Sequence, residues 1–152
     1  MQLQGEESFT DFVARIGPSL RRALSGHMPI DIVDDAMSEA FLYAYSHWDR
    51  VSSMNNPAGF LFRVAQSKSR RRRHGVLPAP SSDTATPIDP TLIHAVQSLP
   101  PKQRSSVWLV HACGWTYAEA AEALGLSRSA VGTHVTRGLV NIRKRLKETH
   151  HD

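Results

Sequence analysis

Cysteine is nearly absent from this chain. Its 152 residues include one, Cys113, so no internal disulfide framework can form and a reducing, cytoplasmic setting is expected. Cys113 falls in the apolar stretch Val107 to Trp115 and reads as a small buried hydrophobe, not a nucleophile or redox sensor. No stretch approaches the roughly 18 consecutive apolar residues of a membrane span, so no membrane insertion is expected. The opening MQLQGEESFTDF lacks the basic-then-apolar order of a secretory signal. The single cysteine and the eight scattered histidines show no zinc-ligand spacing, so neither metal nor cofactor is expected. A glycine-rich phosphate cradle is missing, as is a coupled nucleophile and base, which argues against an enzyme. No stretch alternates with the period of a strand. An all-α protein is what these absences leave, and a hydrophobic content of 41% can supply its core.

Charge becomes informative once it is located. Residues 1–62 carry four Arg against eight Asp/Glu, and residues 63–74 carry six Lys/Arg and no acid. From residue 91 onward eight Lys/Arg face four Asp/Glu. An acidic first part is therefore followed by two separate basic surfaces, a pattern suited to two contacts with one nucleic acid. Between them, residues 75–90 (GVLPAPSSDTATPIDP) place four prolines in sixteen positions and read as an extended linker. The expected organisation is a helical domain over 1–74, the linker over 75–90, a second helical domain over 91–148 and a tail over 149–152. Units this small are only marginally stabilised by their own cores.

In the first unit, Phe9, Phe12, Val13, Ile16, Leu20 and Leu24 repeat at close to helical spacing. Ser8 with Asp11 marks the helix start, and Gly17-Pro18 is a place for it to kink or split. A second helix is expected over Asp31 to Trp48, with Val33, Ala36, Met37, Ala40, Ala44 and Trp48 inward. Asp49 to Asn56 reads as a polar loop. Pro57 then suits a first helical position, and the helix it opens runs into the cationic Lys68 to Arg73. Trp48, Trp108 and Trp115 each fall within an apolar pattern and are expected in the core.

The last third carries the most specific pattern. After a short helix near Thr91 to Ser98 and a break at Pro100-Pro101, a helix is expected over Lys102 to Ala112. Thr116 to Leu124 (TYAEAAEAL) then opens with a capping box between Thr116 and Glu119. Gly125 suits the left-handed residue past its end, and Ser127 the N-cap of the next helix. Val131 and Val135 pack that helix, which turns Arg128, Ser129, Gly132, Thr133, His134 and Arg137 outward. Small alanines permit the close crossing of a helix-turn-helix, whose second helix enters a major groove. Arg128 and Arg137 can flank the groove on phosphates, with Ser129, Thr133 and His134 placed for base edges. Arg143, Lys144, Arg145 and Lys147 continue the basic surface, or equally form a solvated end.

Both halves together resemble an RNA polymerase sigma factor of the extracytoplasmic-function class. Asp34-Asp35-Ala36-Met37-Ser38-Glu39-Ala40-Phe41-Leu42 resembles the acidic helix by which that family docks on the polymerase β′ clamp. Asn56-Pro57-Ala58-Gly59-Phe60-Leu61-Phe62-Arg63-Val64-Ala65 resembles the entry to its −10 reading helix. Leu99-Pro100-Pro101-Lys102-Gln103-Arg104 and the helix-turn-helix resemble its −35 reading unit. The resemblance implies polymerase-binding residues at Asp34, Asp35, Ser38, Glu39 and Leu42. It implies −10 contacts from Asn55, Asn56, Arg63, Ser67, Lys68, Arg70 and Arg71, the asparagines reading a base flipped from the stack. Contacts to the −35 element fall to Arg128, Ser129, Gly132, Thr133, His134 and Arg137. The implied partners are core polymerase, through its β′ clamp and β flap, promoter DNA and an anti-sigma factor. Ser67 and Arg71 stand where the family commonly has Asn and Asp. Gly132 and His134 stand where it often has Lys and Arg, and Ser38 where Gln is common. Promoter sequence therefore cannot be borrowed from relatives.

The rival reading is a one-component regulator that uses the helix-turn-helix without serving polymerase. Linker length separates the two. Sixteen extended residues reach at most about 50–55 Å. With a radius of gyration of about 11 Å added by each small domain, they can place two DNA-reading helices about two duplex turns of roughly 34–36 Å apart. Deleting Pro78 to Pro87 should sharply lower transcription from the native promoter, and a Gly/Ser replacement of equal length should do less harm. Full activity and an unchanged footprint in the deletion variant would favour the single-site regulator.

Overall fold

The first helix begins where a side chain can replace a missing backbone partner. In the computed structural model, which describes residues 6–70 and 89–150, the Asp11 N–H donates to Ser8 Oγ at 3.1 Å. This N-cap starts α1 (Phe9–Ser25), whose Phe12, Ile16, Leu20, Ala23 and Leu24 are buried at helical intervals. The helix runs through Pro18 without splitting, with that residue on its exposed side, where water can satisfy the freed carbonyl. Near its start Arg15 grips Glu7 through two hydrogen bonds of 2.7 and 2.8 Å. The Arg15 hydrogen bonds hold the Glu7 carboxyl below its ordinary pKa.

The second helix, α2 (Ile30–Ser46), ends sooner than its apolar pattern suggests. Trp48 belongs to a separate short helix, α3 (Trp48–Ser52), after a break at His47. The expected loop over Asp49 to Asn56 is thus half helical. The reason is Val51, fully buried beneath the turn, which anchors a segment that looked uniformly polar. Trp48 packs edge-on against Phe9 and Phe12 at 5.4 and 5.0 Å between centroids and joins α1 to α3. Trp48 and Trp108 are half-buried, however, and of the three tryptophans expected in the core Trp115 is the one that is buried. Pro57 then opens α4 (Pro57–Arg70), which buries Leu61, Phe62 and Ala65 against α1 and α2. The first unit is a bundle of α1, α2 and α4 with α3 as a corner.

The second unit is built on one long helix. Asp89 accepts from the Thr91 N–H at 2.9 Å and caps α5 (Pro90–Gln97), which opens at Pro90, the last residue of the stretch read as a linker. Pro101 opens α6 (Pro101–Val107), which continues as a π-helical turn over Trp108–Ala112. Cys113 donates its N–H to the Trp108 carbonyl there, and its side chain is half-buried, not buried as expected. Then come α7 (Tyr117–Leu124) and α8 (Arg128–His150). The inward face of α8 meets α7, α6 and α5. Ala95, Leu99, Val107 and Ile142 form a buried cluster with Val96, Leu139 and Leu146 packed against it. No strand occurs among the described residues. The linker assigned to 75–90 lies outside them except for Asp89 and Pro90, as do Arg71 and the rest of the cationic run to Arg73.

Gly138 sets how closely α8 lies on α6. A Cβ at that position would stand 2.6 Å from Val107 Cγ2 and 3.6 Å from the Gln103 carbonyl oxygen. Beside it, Asn141 Nδ2 donates to Gln103 Oε1 at 3.1 Å and ties the same two helices. Alanine at 138 gains about 1 kcal/mol of helix propensity but overpacks a rigid β-branched neighbour, at a cost of about 1–3 kcal/mol. Gly138→Ala should therefore lower the urea midpoint of the C-terminal unit, and adding Val107→Ala should relieve the clash. A midpoint raised by Gly138→Ala would show that Val107 yields freely.

Candidate nucleic-acid and partner interfaces

Local chemistry builds the helix-turn-helix before packing does. Thr116 Oγ1 accepts from the Glu119 N–H at 3.1 Å, and Glu119 Oε1 accepts from the Thr116 N–H at 2.9 Å. This reciprocal capping box fixes the start of α7. Its end is fixed by Gly125, which adopts φ 67° and ψ 32°, left-handed values that a side chain disfavours. The Leu126 N–H returns to the Ala121 carbonyl at 2.9 Å. Ser127 Oγ then accepts from the Ala130 N–H at 3.1 Å and caps α8. Ala120, Ala121 and Ala123 are buried, and their small size lets α7 lie close to α8.

On α8 the buried positions Val131, Val135, Gly138 and Ile142 recur at intervals of three and four. Arg128, Ser129, Thr133 and Arg137 are exposed, as expected of a reading face. Thr133 donates its hydroxyl to the Ser129 carbonyl at 3.0 Å, which leaves the oxygen to act as an acceptor. Two expected members of this face differ. His134 is half-buried, and its Nδ1 is buried without a hydrogen-bonding partner, so that nitrogen is not offered to a base edge. The reason is its place beside Val135, on the flank of the buried stripe. Gly132 is half-covered by Tyr117, whose Cε2 lies 3.5 Å from the point a Cβ would occupy. Tyr117 and Thr136, absent from the sequence-derived face, line an open depression together with Ser129, Gly132, Thr133 and Arg137. Helical spacing from Gly132 and Thr133 would have reached Thr136; nothing in the sequence signalled Tyr117.

The cations of α8 are available. Arg128, Arg137, Arg143, Lys144, Arg145 and Lys147 are exposed, and among the described residues none pairs with a carboxylate. Such unneutralised charge along one helix favours a polyanion.

The first unit offers two further surfaces. On α2, Asp35, Ser38, Leu42 and Tyr45 are exposed at intervals of three and four, with Leu42 65% and Tyr45 67% accessible. Sequence reasoning missed Tyr45, though it continues the spacing. Asp34 is exposed and engaged with Arg21 of α1 at 2.7 Å, Asp35 is exposed, and Glu39 is half-buried. On α4, Arg63, Ser67 and Lys68 are exposed, and Asn55 is exposed in the preceding loop. Asn56 is different. Only 9% accessible, it accepts the Gly59 N–H on Oδ1 at 3.1 Å and so caps the start of α4. Arg70 ends the helix, and Arg71 lies outside the described residues.

The sigma-70 region 4 family model matches residues 91–142. The chain is 26% identical over 159 residues to RNA polymerase sigma factor CarQ of Myxococcus xanthus, covering 94% of this chain and 91% of that protein. It is 29% identical over 153 residues to the RNA polymerase sigma-E factor of Streptomyces avermitilis, covering 91% and 85%. Among solved structures, CnrH in complex with the cytosolic domain of CnrY superposes with a TM-score of 0.68 at 25% identity, over 95% of this chain and 91% of CnrH. The sigma factor RpoE in complex with the anti-sigma factor NepR from Bartonella quintana gives a TM-score of 0.69 at 21% identity, over 91% and 96%, and shows the shared fold. Helix-turn-helix, N-terminal bundle and full-length similarity thus agree: residues 91–142 carry a sigma-70 region 4 domain, and the chain is similar along its length to RNA polymerase sigma factors.

Proposed function

We propose that this sigma factor acts as a dissociable initiation subunit that docks on core polymerase through α2, presents α4 to the −10 element and inserts α8 at the −35 element. The observation that carries this reading is the pairing of an exposed acidic and apolar stripe on α2 with exposed cations on α4, Arg63 and Lys68, and with the cations of α8 that pair with no carboxylate among the described residues. A regulator that only bound DNA would need the helix-turn-helix and neither of the other two. The domain roles follow: residues 1–74 for polymerase and the −10 element, 75–90 for reach, 91–148 for the −35 element. The chain works without catalysis of its own, in the cytoplasm, and an anti-sigma factor would act by covering the α2 stripe or the α8 face. No helix among the described residues is long and apolar enough to cross a membrane.

On α2, Asp35 supplies charge at the rim and Leu42 supplies apolar area, the usual division of labour in an interface. Burying a leucine side chain is worth about 1.5–3 kcal/mol, whereas an exposed ion pair is worth about 0–1. Asp35→Lys with Leu42→Ala should therefore abolish capture of core polymerase, with Leu42→Ala alone accounting for most of the loss. Helix content should stay unchanged, because both positions face solvent. Wild-type pull-down by the double variant would remove α2 from the polymerase interface.

On α8, each lost phosphate contact should reduce the salt slope of holoenzyme–promoter binding by about 0.9. Arg137→Ala should show that reduction and lose the upstream part of the footprint alone. Loss of the downstream part instead would assign α8 to the wrong element.

A further inference from the structure

The open depression on the reading face of α8 differs in chemistry from its surroundings. It is lined by Tyr117, Ser129, Gly132, Thr133, Thr136 and Arg137. Its floor is the missing side chain of Gly132, and the Tyr117 ring stands 3.5–3.7 Å from where a Cβ there would be. Tyr117 is 42% accessible, so its ring is a wall and not part of the core. Thr133 has committed its hydroxyl proton to the Ser129 carbonyl, and Ser129 shares a 3.3 Å hydroxyl contact with Ser127. The polar capacity of these walls is therefore partly spent within the helix. What remains is a shallow notch with the Tyr117 ring as one wall and threonine side chains beside it, next to Arg137, on a surface otherwise suited to phosphates and base edges.

We propose that this notch is a thymine-reading subsite, in which the 5-methyl group of one thymine of the −35 element seats over Gly132 against the Tyr117 ring. The major groove presents only one apolar group on its bases, the thymine methyl, and small side chains or bare backbone are what can approach it. A longer residue at 132 would fill the notch; glycine keeps it open. Arg137, at the edge, can then engage a phosphate or a neighbouring guanine. The subsite rests on the proposed role of α8 as the −35 reading helix, and it specifies which base that helix selects.

The test uses the full-length chain with core polymerase and a promoter selected by that holoenzyme from a library randomised through the −35 element. Each thymine of the selected element is replaced singly by deoxyuridine, which removes the methyl and keeps the pairing. At one position binding should weaken about fourfold, the worth of one buried methyl. Gly132→Ala, whose Cβ would meet Tyr117 at an ordinary contact distance, keeps the fold and fills the notch, and Tyr117→Ala removes its wall. In both variants the thymine-to-deoxyuridine difference at that position should vanish. A selected element without thymine, the absence of any deoxyuridine effect, or an effect that persists in the variants would each overturn the subsite while leaving promoter binding intact. Failure to bind any duplex would instead overturn the −35 role of α8, and the subsite with it.

Discussion

The seat of α8 on its neighbours is the constraint on which the C-terminal unit depends. One helix of 23 residues supplies the reading surface on one side and the packing surface for α5, α6 and α7 on the other. Its inward positions are small or β-branched in turn, with Gly138 where α6 comes nearest and Ile142 where the apolar cluster forms. Because the same helix holds both functions, any shift of its axis against α6 would move the outward residues by the same amount. Interiors pack at close to crystalline density, so such a seat has little freedom to relax. The Asn141–Gln103 hydrogen bond adds a directional lock at the same contact.

In the N-terminal unit the corresponding constraint is aromatic. Phe9, Phe12, Tyr45 and Trp48 meet where α1, α2 and α3 come together, edge to face at centroid separations of 5.0–5.4 Å, with Phe9 and Phe12 stacked at 6.3 Å. This corner fixes the far end of α2, the end at which Leu42 and Tyr45 are exposed. The stripe they form with Asp35 and Ser38 is thus presented on a helix anchored along its opposite face by Val33, Ala36, Ala40 and Ala44. The Asp34–Arg21 pair is exposed on both sides and contributes little to stability. Its consequence is for charge: it partly neutralises the acidic ridge and leaves the apolar members of the stripe more prominent.

Polar residues that resemble binding groups divide into those the fold consumes and those it leaves. Asn56 is consumed as a cap, and His134 is partly withdrawn beside the buried stripe. Arg63, Ser67, Lys68, Ser129, Thr133 and Arg137 remain accessible. A cap and a base reader use the same amide chemistry, so residue type alone cannot separate them. Burial does, because a group that must meet DNA has to keep its polar atoms within reach of it.

The sequence by itself determined the helical class, the start of α1 at Ser8, the capping box of Thr116 and Glu119, the left-handed turn at Gly125 and the cap at Ser127. These features were legible because each is made within about four residues, where backbone geometry leaves few alternatives. The inward registers of α2 and α8 were legible for the same reason, since spacing of three and four fixes a face. Only the tertiary structure decided that Trp48 begins a new helix over a buried Val51, that Cys113 is half-buried, and that Asn56 caps α4. It also decided that Tyr117 stands against Gly132 and that Gly138 receives Val107. Apart from the Asn56 cap, which is local to Gly59, each of these depends on which side chain of a distant segment arrives opposite, and the spacing within one helix carries no record of its partner.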